Sequence, residues 1–206
     1  MEILIFGATG GTGLELVRQA IPAGHRLTAF VRNPQKIQAG KGLRVVVGDA
    51  TKSDDVAKAF DREYDAVVSA LGGGAKAAQQ VCSTAIEHIL RYMQEVGIAR
   101  LIAVSSLGVE PEYMPPLFRY VVLPYFLQKA HDDLTLMETY IRRSLRDWTL
   151  VRPPRLTDKS LTGQYRVTTD YAHDLPRRVS RADLAHFILK CLTERSYVHE
   201  LPTLGY

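Results

Sequence analysis

The chain has 206 residues, of which 46% are hydrophobic and 23% charged, and these are proportions of an ordinary soluble domain. Its formal net charge is +4, but the basic residues are dispersed, so we expect no nucleic-acid-binding tail. No apolar run is long enough to span a bilayer and no signal peptide is visible, so the sequence predicts a cytoplasmic protein without a membrane partner.

Short apolar runs alternate with helical patterns along the chain. Strands are predicted at residues 2–6, 26–31, 43–49, 65–74, 100–106 and 148–154, followed by a late strand at 163–170 that is a candidate for antiparallel pairing. Helices are predicted at 12–21, 54–60, 77–96, 126–145 and 180–194, the last with Ser180 as N-cap and Asp183 in a capping box. The alternation predicts a single α/β domain over 1–206, a Rossmann-type doubly wound parallel sheet with helices on both faces.

Three glycines of the stretch FGATGGTG separate the first strand from the first helix. In a βαβ unit the first glycine permits a tight turn, the second lets the backbone approach a pyrophosphate, and the third allows close packing of helix and strand. The helix N-terminus then offers free N–H groups and a positive dipole to phosphate. The spacing GxxGxxG is typical of short-chain dehydrogenase relatives, and its context predicts a dinucleotide site. The predicted cradle comprises Gly7, Thr9, Gly10, Gly11, Thr12 and Gly13.

The end of the second strand predicts which dinucleotide binds. Arg32 stands where an acidic residue would bind the ribose of NAD, and a guanidinium suits the 2′-phosphate of NADP(H). Lys36 either adds a second cation or is simply solvated. Asp49, with Ala50, either borders the adenine or caps the next helix or turn. The remaining predicted cofactor contacts are Leu71, Gly72, Gly73, Ser105 and Pro153.

The catalytic residues are harder to assign. Short-chain dehydrogenases use a serine with YxxxK, and Tyr125 and Lys129 form such a pair only out of register with the downstream frame KxxxExxxxxS. In that frame the tyrosine and lysine positions fall on Ala130 and Leu134. We therefore expect Tyr125 to pack and Lys129 to be solvated. His131 and Glu138 are weaker candidates, for which a structural or solvated role is the default.

The motifs GATGGTG, VRNP, VVVGDA, VRPPRL, LTGQYRV and RVSRADLAHFILKCLT resemble the biliverdin-IXβ reductase/flavin reductase family of atypical short-chain dehydrogenases. The resemblance covers nearly the whole chain, and its specific part is LTGxYxV with the final helix. It implies an NADPH-dependent reductase that transfers hydride to flavins (FMN, riboflavin, FAD) or to linear tetrapyrroles such as biliverdin.

The resemblance also implies an active site. The family's serine matches Ser106, which would bond the substrate or the nicotinamide carboxamide, whereas its histidine falls on Arg155. A mechanism that needs a histidine acid at that position does not carry over. Arg155 would instead bind an FMN phosphate or a bilin propionate, or pair with Asp158 at the surface. We expect the substrate pocket within about 106–180, with the stretch 113–126 either a lid or ordinary packing.

Two other functions remain open. One is a non-catalytic NADP(H)-binding redox sensor of the NmrA-like type, favoured by Arg155 in place of the histidine. The other, an epimerase or reductase acting on a sugar or isoprenoid, needs a tyrosine in register, which the sequence lacks. Cys82 and Cys191 lie far apart without nearby ligand spacing, so no metal site is predicted. We expect a monomer whose partner is a small-molecule substrate.

Overall fold

The computed structural model of the chain describes residues 1–72 and 80–206. A parallel sheet of six strands in the order β3-β2-β1-β4-β5-β6 runs through the middle of the molecule. The strands are β1 (Glu2–Phe6), β2 (Arg26–Val31), β3 (Leu43–Val47), β4 (Ala66–Ser69), β5 (Arg100–Val104) and β6 (Asp147–Val151). This order reverses direction between β1 and β4, so the carboxyl ends of these two strands flank the crevice in which such sheets bind nucleotides.

Helices cover both faces of the sheet, which confirms the doubly wound Rossmann-type fold. They are α1 (Gly11–Ala20), α2 (Ser53–Ala57), α3 (Val81–Glu95), α4 (Gln128–Arg143) and α5 (Arg181–Glu194). Ile3 and Ile5 of β1 belong to the core beneath α1 and α5, whereas Leu4 and Phe6 belong to the core beneath α3 and α4. Because successive strand residues point to opposite faces, a continuous apolar run is required in a strand covered on both sides.

Four short strands form two small sheets beside the main one. β7 (Arg155–Thr157) pairs in parallel with β9 (Arg178–Ser180), and β8 (Arg166–Thr168) pairs antiparallel with β10 (Thr203–Gly205). The late strand is therefore antiparallel, although shorter than expected. The sequence analysis did not predict β7, β9 and β10, because each has only three residues, which is too short for an alternating pattern to be recognised.

The boundaries of several elements differ from the prediction. β6 ends at Val151, before the two prolines that were expected within it, since proline cannot donate to the ladder. α3 begins at Val81, and the predicted strand end and helix start at 73–74 and 77–79 lie outside the described residues. A π-helical segment, Phe118–Leu127, precedes α4 in a stretch that contains four prolines, Pro111, Pro115, Pro116 and Pro124. Only Pro124 of these four prolines lies inside the segment, so its other residues keep the backbone N–H groups that helical hydrogen bonds need.

Candidate functional site

The glycine turn after β1 is packed against the neighbouring strand. Gly7 has a φ of +80°, and a Cβ atom there would lie 2.5 Å from the Ala70 carbonyl oxygen. A Cβ atom on Gly13 would overlap the Gly7 carbonyl and Ala8. The Gly10 N–H donates to the Gly7 carbonyl at 3.0 Å, which closes the turn. Side chains are thus excluded at Gly7 and Gly13 by the close approach of backbone to backbone.

The N-terminus of α1 is open to an anion. Its N-cap, Gly10, offers no side-chain cap, and the first turn contains no acidic residue. The first N–H groups of a helix have no partner within it, and the helix dipole favours negative charge there. The turn therefore has the features of a phosphate-binding site.

A cleft of about 260 Å³ opens beside this turn at the carboxyl ends of β1 to β4. Most of the predicted cofactor residues line it, namely Gly7, Thr9, Gly10, Arg32, Lys36, Asp49, Ala50, Leu71 and Gly72. Thr12 and Gly13 are instead buried in the first turn of α1. Gly11 lies against the Arg181 side chain, and Gly73 lies outside the described residues.

Arg32 and Lys36 are held on the same side of the cleft by a short turn. Asn33 caps a 3-10 turn over Pro34–Lys36 by accepting a hydrogen bond from the Gln35 amide at 2.9 Å. Both cationic side chains are exposed, and neither forms an ion pair within the described parts of the chain. This leaves two positive charges available to a ligand in the cleft.

Asp49 caps the next turn and also lines the cleft. Its Oδ1 accepts hydrogen bonds from the Thr51 amide at 3.0 Å and the Thr51 hydroxyl at 2.8 Å, so it caps the next turn. The hydrogen bond from the Thr51 amide, aided by Arg32, holds the pKa of Asp49 below its usual value against the opposing effect of burial. The same residue lines the cleft, and its charge stands near Arg32.

Ser105, Ser106 and Pro153 lie together at the carboxyl edge of the sheet. The Ser105 amide donates to the Val151 carbonyl at 2.8 Å, and the Leu107 amide donates to the Pro153 carbonyl at 3.0 Å, which extends the pairing of β5 with β6. The Ser106 hydroxyl accepts from the Gly108 amide at 3.1 Å and caps a 3-10 turn. The Ser105 hydroxyl is buried without a hydrogen-bond partner in the described regions.

A small apolar pocket of about 110 Å³ adjoins Ser106. It lies between the 3-10 turn, the π-helical segment and α4, and is lined by Ser106, Gly108, Val109, Phe118, Leu123, Leu127, Ala130, His131 and Leu134. Ala130 and Leu134 occupy the positions expected for the dehydrogenase tyrosine and lysine. Two apolar side chains in the pocket lining therefore replace that pair. Lys129 is solvated as expected, but Tyr125 is 78% exposed, and the expectation that it packs is wrong.

Arg155 lies apart from this pocket. It is an exposed residue of β7 and does not line the pocket beside Ser106. The alternative pairing of Arg155 with Asp158 is wrong, because Asp158 pairs with Arg181 at 2.5 Å.

Arg152, which the sequence analysis did not identify, forms a buried ion cluster next to the serine turn, the 3-10 turn Leu107–Val109 that Ser106 caps. Its guanidinium donates to both carboxylate oxygens of Glu138, at 3.0 and 2.5 Å, and to Glu110 at 2.8 Å. Burial would lower the pKa of Arg152, but the two carboxylates outweigh it and raise the pKa above its usual value. Glu138 is thus committed to this pair. The signal in the sequence was an arginine at the end of a buried strand, where a charge requires a partner.

The geometry agrees with the comparison to known families, in which residues 7–195 match the NAD(P)H-binding family. The chain belongs to this NAD(P)H-binding family. It is 25% identical to "Reductase pytE" of Aspergillus terreus over 99% of this chain and 97% of that protein.

Solved structures share the fold of this NAD(P)H-binding protein. A wide-type short-chain dehydrogenase/reductase from Veillonella parvula, solved in complex with NADP, superimposes with a TM-score of 0.84 at 17% identity and covers 100% of this chain and 94% of that one. ChuY, an anaerobillin reductase from Escherichia coli O157:H7, superimposes with a TM-score of 0.83 at 24% identity and covers 99% of this chain and 96% of that one. Within 1–72 and 80–206, none of the helices has the length and apolar character needed to cross a membrane.

Proposed function

We propose that this chain is an NADPH-dependent reductase that transfers hydride to a flavin (FMN, riboflavin or FAD) or a linear tetrapyrrole such as biliverdin. The observation that carries the proposal is the placement of two complementary sites at one edge of the sheet. A phosphate-binding turn with two available cations lies at the ends of β1 and β2, and an apolar pocket lies beyond the end of β5.

The residues of the cleft fit NADPH. The N-terminus of α1 and Thr9 would hold the pyrophosphate, Arg32 and Lys36 the 2′-phosphate, and Asp49 with Ala50 the adenosine side. When bound, the cofactor supplies the hydride, and the protein orients it and keeps water from the reacting atoms. Ser106 would then bond either the nicotinamide carboxamide or the acceptor.

The pocket beside Ser106 suits part of a flat apolar acceptor. Its volume of about 110 Å³ is smaller than a complete ligand site, so one ring or ring edge would enter it. The rest would lie along the π-helical segment, whose Tyr120, Tyr125 and Phe126 are exposed. An exposed apolar patch of this kind is typical of an interaction surface.

A cationic side chain outside this pocket suits an anionic acceptor. Arg155 is exposed and has no ion pair within the described residues, so it is available to a flavin phosphate or a bilin propionate. The name of ChuY, which shares the fold, supports the tetrapyrrole arm of the proposal.

The test is NADPH oxidation followed by absorbance with FMN, FAD, riboflavin and biliverdin isomers as acceptors, with NADH as the control donor. Turnover of at least one acceptor with a preference for NADPH supports the proposal. Ser106→Ala should lower turnover, because the serine lines the acceptor pocket. An unchanged Kd for NADPH would assign its hydrogen bond to the acceptor, and a raised Kd would assign it to the nicotinamide carboxamide.

The competing function is a non-catalytic NADP(H)-binding redox sensor of the NmrA-like type. The observation that favours it is the replacement of the tyrosine and lysine positions by Ala130 and Leu134 in the pocket wall. Tight binding of NADPH and NADP+ without turnover of any acceptor would overturn the reductase proposal and leave the sensor.

A further inference from the structure

His131 presents an unused polar atom beside Ser106. It lies on α4 and lines the same apolar pocket as the serine. Its Nε2 is buried and has no hydrogen-bond partner among residues 1–72 and 80–206, whereas its Nδ1 lies 3.3 Å from Asp132 Oδ1. A buried ring nitrogen without a partner is rare in a stable fold and calls for an explanation. A ligand in the pocket would supply the missing partner.

We propose that His131 is the proton donor to the acceptor, acting through Nε2. The inference rests on the proposed reductase function and adds a catalytic residue to it. Because Arg155 replaces the histidine that the family resemblance implies, the acid is otherwise unassigned. His131 reaches the pocket from a different element, α4 rather than the segment after β6.

Reduction of the acceptor would require one hydride and one proton. Bound NADPH would supply hydride, that is two electrons and one hydrogen nucleus, to the acceptor and would itself be oxidised to NADP+. The Nε2–H bond of the protonated imidazole breaks, and a new bond to that proton forms at a nitrogen or oxygen of the reduced acceptor. The neutral imidazole then regains a proton from water.

The surroundings of His131 favour this role. Asp132 lies beside Nδ1 and itself accepts a hydrogen bond from the Gln128 side-chain amide at 2.8 Å, an arrangement that orients the ring. The pocket residues contributed by the 3-10 turn and the π-helical segment are uncharged. Several charged groups on the same helix and the neighbouring elements are engaged elsewhere: Asp133 accepts from Ser83, Glu110 and Glu138 pair with Arg152, and Arg119 lies over the Tyr120 ring. Lys129 and Glu112 are exposed to solvent.

The first test compares His131→Gln with wild type under saturating NADPH and acceptor. The variant should lose about 100-fold in kcat near neutral pH, which is typical of a missing general acid, while its Kd for NADPH is unchanged. The pH dependence that a general acid gives to wild-type kcat should be absent from the variant. His173→Gln is the matched control, since His173 also neighbours an aspartate, Asp170 at 3.0 Å, but is 84% exposed.

An unchanged kcat and pH profile in His131→Gln, with wild-type turnover intact, would overturn the proposal and leave the reductase function standing. Absence of turnover in wild type with every acceptor would overturn both. If His131→Gln proved unstable, its low kcat would not identify the acid. A second measurement on the wild-type protein removes this ambiguity. The ¹⁵N resonance of His131 Nε2 should shift when FMN or biliverdin is added, whereas that of His173 should not, and an unmoved His131 signal with a bound acceptor would contradict the proposal.

Discussion

Arg32 is the residue on which we expect the choice of cofactor to depend. It directly follows β2, lines the dinucleotide cleft and has no carboxylate partner in the described segments. Its charge also acts on Asp49, whose carboxylate is occupied by Thr51. A free guanidinium at this position can bind the 2′-phosphate with two parallel hydrogen bonds.

Arg32→Ala should therefore weaken NADPH binding by roughly 10–100-fold, equivalent to about 1.5–3 kcal/mol for charged hydrogen bonds, and leave NADH binding nearly unchanged. Titration calorimetry or fluorescence with both dinucleotides measures this. Arg26→Ala is the control, since Arg26 lies at the other end of β2 and pairs with Glu2. Equal losses for NADPH and NADH would contradict the role of Arg32.

Single residues show where local pattern succeeds and where it fails. Arg32 and Lys36 are two of the predicted cofactor residues, and both line the cleft, because the Asn-Pro turn that holds them is a local structure. The environment of Arg155 was not predictable, since its alternative partner, Asp158, is taken by Arg181 from a different element.

At the scale of elements, α3 is capped by a side chain from another helix. Asp133 of α4 accepts from the Cys82 and Ser83 amides at 2.9 and 2.8 Å and from the Ser83 hydroxyl at 2.6 Å. The N-cap of α3 itself, Gln80, provides no side-chain cap. A carboxylate at the positive end of the helix therefore joins α3 to α4.

Asp133→Asn should lower the free energy of unfolding by about 1–3 kcal/mol, since one acceptor is lost and charge no longer meets the helix end. Urea denaturation measures the change. Asp132→Asn on the exposed side of the same helix should change it by less than about 0.5 kcal/mol. If both variants were equally stable, the cross-helix cap would contribute nothing.

The Arg152 cluster joins β6 to α4 and to the serine turn. Arg152→Met leaves the Glu138 carboxylate buried without its partner and should destabilise the fold by about 3–5 kcal/mol. Adding Glu138→Leu removes the stranded charge and should restore most of the loss, because Glu110 is exposed enough to be hydrated. A double variant no more stable than Arg152→Met in urea denaturation would refute this coupling.

At the scale of the molecule, Asp183 links three segments of the last part of the chain: the loop before β8, the start of α5 and the C-terminal residue Tyr206. Its buried carboxylate accepts from the Thr162 and Gly163 amides, from the Ser180 hydroxyl and from the Tyr206 hydroxyl. Ser180 does cap α5, but the reciprocal half of the predicted capping box is absent, since the Ser180 amide donates to Tyr206. The shorter aspartate instead binds the loop and the tail, which only the tertiary fold brings near.

Burial would raise the pKa of Asp183, but these hydrogen bonds outweigh it and hold the pKa below its usual value. A depressed carboxyl pKa stabilises the fold above the pKa of the unfolded chain, about 4, and this contribution is lost as pH falls through the folded pKa.

We therefore expect Asp183→Asn to be about 2–4 kcal/mol less stable than wild type near pH 7, with the gap narrowing below about pH 4. Urea denaturation at several pH values measures the gap. A gap that stays constant across the acid range would show that the charge of Asp183 is not what stabilises the fold.

The sequence by itself determined the alternation of elements and the place of the dinucleotide turn. Apolar runs covered on both faces, the GxxGxxG spacing and Arg32 after the second strand are local patterns, and each encodes its structure within a few residues. The late strand was recognised from its pattern, whereas its antiparallel pairing with β10 was left open and is set by the fold.

Only the tertiary structure decided which side chains share a site. Ser106 and His131 line one pocket although 25 positions separate them, and Arg152 finds its partners on α4 and beyond β5. These neighbours depend on how α4 and the π-helical segment pack over the end of the sheet. Periodicity records which face of an element is buried, but not which residues meet there, because long-range contacts are set by packing and not by spacing.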